Sequence, residues 1–175
     1  MSGGVQNSAD ESRDAGGEPI SSLDRAKSTG RRRARAIRAR HGTADPYRIA
    51  EAEGVRIAED AWDGLDAVRL LGTYANGVIT LYDAQIGRVA ADADFDHTAL
   101  RTAVCAHELA HYELETRAPD WKDRDRRRPL ARITGWLGIG RPSRPSHRRL
   151  EEHAAHAFTA ALLPDATASL IERLE

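Results

Sequence analysis

A single cysteine, Cys105, leaves no partner for an internal disulfide, so the 175-residue chain is not a disulfide-stapled secreted scaffold. No stretch approaches the ~20 consecutive apolar residues that a membrane-spanning helix needs. The first thirty residues also lack the apolar run of a secretory signal. These absences point to the cytoplasm and to no membrane partner. A dominant charge sign is missing too. Twenty-six basic residues against 27 acidic ones leave a net charge of −1, which supplies no global attraction to nucleic acid or to an anionic lipid surface. There is no internal repeat.

What is present is a 41% hydrophobic content, enough at this length for one domain with its own core. Residues 1–22 are rich in Ser, Gly, Asp and Glu and offer almost nothing to bury, so they read as a disordered tail. Residues 23–43 form a basic helical arm carrying Arg25, Lys27, Arg31, Arg32, Arg33, Arg35, Arg38 and Arg40, with an interruption expected near Gly30. A solvated helix face is the first reading of this arm. Contact with nucleic-acid phosphates is the weaker one, because no base-reading motif follows.

From residue 44 the pattern becomes that of a folded domain. Asp45-Pro46 opens a helix that runs to about Glu53, where Gly54 stops it. Val55–Glu59 alternates like a strand, and Val68–Tyr74 and Val78–Tyr82 flank an Asn76-Gly77 hairpin turn. Val89-Ala90 is expected as a short edge piece. Asp96 or Thr98 can cap a helix reaching about Glu115, and 116–147 reads as an inserted loop. That loop carries Trp121, Trp136 and the charged run Arg124–Arg128, as a flap over a cleft or as ordinary surface packing. A last long helix spans Arg148–Leu163, with a short amphipathic helix after Pro164.

The chemistry concentrates in His107-Glu108-Leu109-Ala110-His111. Residues four apart on a helix lie one above the other, so His107 and His111 can aim two imidazoles at one point. Leu100, Ala103, Val104 and Leu114 share their stripe, which places the pair on a face turned to the core or to a cleft. Glu108 points beside that focus, where a carboxylate can serve as general base toward a zinc-activated water. A zinc hydrolase needs a third protein ligand. The helix around Glu151-Glu152-His153-Ala154-Ala155-His156 offers Glu152 first, on a face whose small residues would admit the metal helix, with Glu151 and His156 as alternatives. Cys105 is two positions from His107, nearly opposite it, and reads as a buried inert thiol. The expected fold class is α+β, a small twisted sheet with a β-hairpin packed against the metal helix and a second ligand helix. The expected site is one Zn2+ held by His107, His111 and Glu152 with Glu108 as catalytic base, in a metallopeptidase domain over 44–175.

The segments HELAHYELE at 107–115 and EHAAHAFTAALLP at 152–164 resemble the ImmA/IrrE family of zinc metallopeptidases, in which HExxH is followed by a Glu-x-x-Ala-(Asn/Asp)-x-Phe-Ala-Ala helix. The likeness extends over roughly residues 45–165. It implies His107 and His111 as ligands, Glu108 as base, Glu152 as third ligand, and hydrolysis of a peptide bond in a protein such as a DNA-binding repressor. His156 stands where the family carries Asn or Asp. A different class remains open alongside it, a metal-bound regulatory or interaction module with little or no proteolysis.

Overall fold

The computed structural model of the chain describes residues 21–62, 70–118 and 147–165. Residues 1–20 of the expected tail, 119–146 of the expected insertion and the stretch after 165 expected as a closing helix lie outside them. The described residues form five helices and one three-stranded mixed sheet, the α+β arrangement expected. These are α1 (Ser22–His41), α2 (Pro46–Ala52), β1 (Arg56–Asp60), β2 (Gly72–Ala75), β3 (Val78–Tyr82), α3 (Asp83–Asp92), α4 (His97–Arg117) and α5 (His147–Leu162). None of these helices is long and apolar enough to cross a membrane.

Side-chain caps set several boundaries. Asp45 accepts from the Tyr47 amide at 2.9 Å with Pro46 at the first turn of α2, and Asp96 accepts from the Ala99 amide at 2.7 Å to open α4. In the hairpin, Asn76 and Gly77 both take left-handed φ values, 51° and 76°, as a two-residue turn that keeps the strands' right-handed twist requires. The sheet order is β1-β3-β2, with β3 central, parallel to β1 and antiparallel to β2. Ile79 and Leu81 alternate inward from β3 and are fully buried.

The expected edge piece at Val89-Ala90 is instead part of α3. Ile86 and Ala90, four apart, are both buried, and this helical spacing of core contacts overrides the local β preference of Val89.

Helix α4 crosses the middle of the molecule and is buried on most of its circumference, from Leu100 to Leu114. Arg101 pins it to three other elements. It donates to Tyr47 Oη at 2.8 Å and to Asp83 Oδ1 at 3.2 Å, and it pairs with Glu59. Cys105 is fully buried among these contacts, and burial pushes its thiol up to about 12, so it stays protonated and inert.

The basic segment is not a separate arm. It is one continuous helix that walls the core with Ala26, Thr29, Gly30, Ala34 and Ile37, while Arg25, Arg31, Arg32, Arg35 and Arg38 face solvent. Arg33 and Arg40 turn inward. Both donate to Oε1 of the fully buried Glu113 on α4, Arg40 at 3.2 Å, and Arg40 also reaches Glu53 at 2.9 Å.

Gly30 does not interrupt the helix, because it is where α5 rests on α1. A β-carbon there would lie 2.0 Å from the Ala154 carbonyl oxygen and 3.0 Å from the Phe158 amide nitrogen. A mid-helix glycine costs about 1 kcal/mol relative to alanine, but no side chain fits between two backbones this close. The α5 residues that meet α1 here, Ala154 and Phe158, belong to the stripe of Glu151 and not to the Ala155 and Thr159 face expected to admit α4.

Glu53 gathers the ends of three helices. Burial would raise its carboxyl, but His41 at 2.7 Å, Tyr112 at 2.8 Å, Arg117 at 3.0 Å and the charge of Arg40 hold it down at about 2.

Two outcomes follow. Gly30→Ala should destabilise the protein by about 2–3 kcal/mol or more, since forced overlap outweighs the helix-propensity gain; a gain in the denaturant midpoint would contradict the close approach. A group whose folded pKa is depressed contributes stability above its unfolded value and loses it as pH falls through the folded one. Glu53 should thus stabilise fully above pH 4.5 and lose its contribution between there and about pH 2. Glu53→Gln should lower stability at neutral pH by about 1–3 kcal/mol and flatten the acid dependence in that window, as thermal melts across pH would show.

Candidate metal centre

Helices α4 and α5 each bring a pair of donors to their shared face. On α4 these are His107 and His111, whose side chains are 20% and 18% exposed. On α5 they are Glu152 and His156, four residues apart and more open to solvent. The histidine Nε2 atoms of His107 and His111 lie 3.3 Å apart, and His107 Nε2 lies 3.4 Å from Glu152 Oε2. The other Glu152 oxygen is 3.9 Å from His111 Nε2.

Two ligand atoms each about 2.0–2.1 Å from a tetrahedral zinc stand roughly 3.3–3.4 Å apart. The 3.3 Å and 3.4 Å separations match that spacing, and the 3.9 Å one is longer and runs through the other Glu152 oxygen. The imidazole and carboxylate donors fit a borderline divalent ion rather than a hard one, which would take oxygen alone.

His107, Glu152 and His156 also present ligand atoms that all lie within 4.8 Å of one another, the one such triad among the described residues. That set contains His156 and not His111, whereas the shortest contacts run through His111. His156 is the most exposed of these side chains. Either way, a group of histidine and glutamate side chains that could hold a metal ion is present.

Glu151, an alternative third ligand from sequence, falls on the other side of His111. Its Oε1 lies 3.3 Å from His111 Nδ1. A carboxylate there accepts the Nδ1 proton, which leaves the Nε2 lone pair free to point at the focus, as outer partners of metal-bound histidines do. Burial alone would lower His111, but Glu151 together with the charges of Glu108 and Glu152 raises it. His107 goes the other way. Burial, then the neighbouring His111 and His156, bring it down to about 3, so it stays neutral and available as a ligand near pH 7.

Glu108 is only 7% exposed and lies under the edge of the sheet. It accepts the backbone amide of Tyr74, and a β-carbon on Gly72 would stand 3.0 Å from its Cγ and 2.8 Å from Val104 Cγ1. Gly72 therefore makes the room that lets β2 lie against the carboxylate, a requirement that only the folded neighbourhood reveals. Burial, reinforced by the charge of Glu152 and opposed by His111 and the Tyr74 amide, pushes Glu108 up to about 7. A carboxyl at that value can take up and release a proton near neutrality. No family model, curated protein or solved structure matches the chain, so the chemistry of this site has to stand on these residues.

Glu152 and Glu151 can be told apart by metal affinity, measured by chelator competition. Glu151→Gln should weaken zinc binding about 10–100-fold through loss of an outer partner, and Glu152→Ala should weaken it further. The reverse order would make Glu151 the ligand.

Proposed function

We propose that the protein is a zinc-dependent endopeptidase acting on a protein substrate, with His107, His111 and Glu152 as metal ligands and Glu108 as general base. The observation that carries this reading is the approach of His107 and His111 Nε2 to each other at 3.3 Å and to the two oxygens of Glu152 at 3.4 Å and 3.9 Å, from two different helices, beside a buried carboxyl at about 7. When bound there, zinc would supply Lewis acidity toward a water and toward the scissile carbonyl.

The chain's own groups supply the rest. Glu108 takes the proton of the attacking water and passes it to the departing amine, and its raised value suits both transfers. Glu151 keeps His111 in the tautomer whose Nε2 faces the site. The β2 edge supports a peptide substrate in particular. Tyr82 donates to the Leu71 carbonyl at 3.0 Å, and this register turns the backbone groups of Gly72 and the Tyr74 carbonyl away from β3, the Tyr74 amide being taken by Glu108. An extended peptide can add to that edge by main-chain hydrogen bonds, which hold a backbone without demanding a particular sequence. A repressor substrate is the expectation that the resemblance to ImmA/IrrE peptidases brings.

Cleavage of a denatured protein, followed by mass spectrometry alongside zinc analysis, tests the reading. Glu108→Gln should keep its zinc and lose about 10²–10⁴-fold in cleavage rate. Cleavage within a few-fold of wild type would remove Glu108 from the mechanism. A wild-type protein that binds zinc but cleaves nothing would favour the metal-bound interaction module instead.

A further inference from the structure

The two helices that meet at the site carry one more donor than a hydrolytic zinc needs. His107 and His111 are four apart on α4; Glu152 and His156 are four apart on α5, and the pairs face each other. His111 lies toward Glu151 and Glu152, while the His107 ring lies 5.0 Å from that of His156, centroid to centroid, at 43°. The helices thus run in opposite directions past a focus with a donor at each corner. Zinc sites with four protein ligands are closed and structural, whereas catalytic ones keep a position open.

We propose that His156 is a fourth, displaceable metal ligand that closes the coordination shell at rest and withdraws when substrate enters, so that the site is latent until engaged. This rests on the metallopeptidase reading above and adds its regulation. Three observations place His156 in this role rather than in the core ligand set. Its ligand atom falls within 4.8 Å of those of His107 and Glu152. Its ring centroid stands 5.0 Å from that of His107, tilted by 43°, which puts it beside that ligand on the side away from His111 and Glu151. His156 is also exposed, while His107 and His111 are held by their surroundings, so it can rotate in and out without disturbing packing. An exposed ligand on the solvent side is the one a substrate approaching from solvent would displace.

Cobalt(II) substitution of the full chain reads coordination directly from the visible spectrum, and azide probes for an open position. In wild type, the spectrum should be that of a closed four-coordinate site and should respond weakly to azide. In His156→Ala the spectrum should change, azide should bind at least about tenfold more tightly, and zinc affinity should fall by at least the 10–100-fold that loss of an outer partner costs. The exposed position makes loss of folding an unsuitable explanation, and an unchanged melting temperature of the metal-free variant would confirm this. Identical spectra, azide response and zinc affinity in the two proteins would overturn the role of His156 and leave the three-ligand reading standing. Failure of wild type to bind cobalt or zinc at all would overturn both.

Discussion

The contact on which the site depends is a backbone-to-backbone approach some distance from it. Helix α5 packs chiefly on α1 and α4. At Gly30 the α1 backbone touches the Ala154 carbonyl, which fixes how deep α5 lies and therefore where Glu151, Glu152 and His156 project. Two metal-helix histidines define only a line of approach. The third donor has to arrive from another helix at a set depth, and α1 supplies that depth. The basic helix is in this sense part of the site's scaffold, clamped at its inner face by Arg33 and Arg40 on the buried Glu113.

Environment, not residue type, separates the carboxylates. Glu53 receives four donors and charges and sits near 2, while Glu108 lies in an apolar recess beside another acid and sits near 7. The first is fixed as an anion and ties three helix ends together; the second is poised to exchange a proton. Glu113 is buried beside three arginines, Arg33 and Arg40 of α1 and Arg117 of its own helix. Burying such charges is favourable only when partners compensate for lost water, and removing any one partner strands the others. The same division applies to the histidines, with His107 kept neutral by burial and His111 raised by its carboxylate neighbours.

Much of this was legible in sequence wherever a local rule decides the outcome. Asp45-Pro46 and Asn76-Gly77 mark a helix start and a hairpin from side-chain chemistry and backbone preference alone, and of the two caps open for the second helix, Asp96 and Thr98, Asp96 is the one used. The spacing of His107 and His111 gave the focus, and Glu152 was the first choice for the helix across from it. What stayed hidden depends on partners far along the chain. Gly30 reads as a helix breaker until Ala154 is known to press on it. Val89 reads as strand until the core contacts of Ile86 and Ala90 appear at helical spacing. Arg33 and Arg40 are indistinguishable in sequence from the five arginines of α1 that face water. Glu151 and Glu152 differ by one position, and only the placement of α5 shows that one reaches the Nδ1 side of His111 and the other the Nε2 side.

X-ray absorption at the zinc edge on the purified, zinc-loaded protein tests the central claim most directly. One zinc ion per chain is expected, with a shell of nitrogen and oxygen atoms alone at about 2.0–2.1 Å and the outer scattering of at least two imidazole rings. A protein that retains no zinc, an ion surrounded only by water oxygens, or a sulfur neighbour from Cys105 would contradict it.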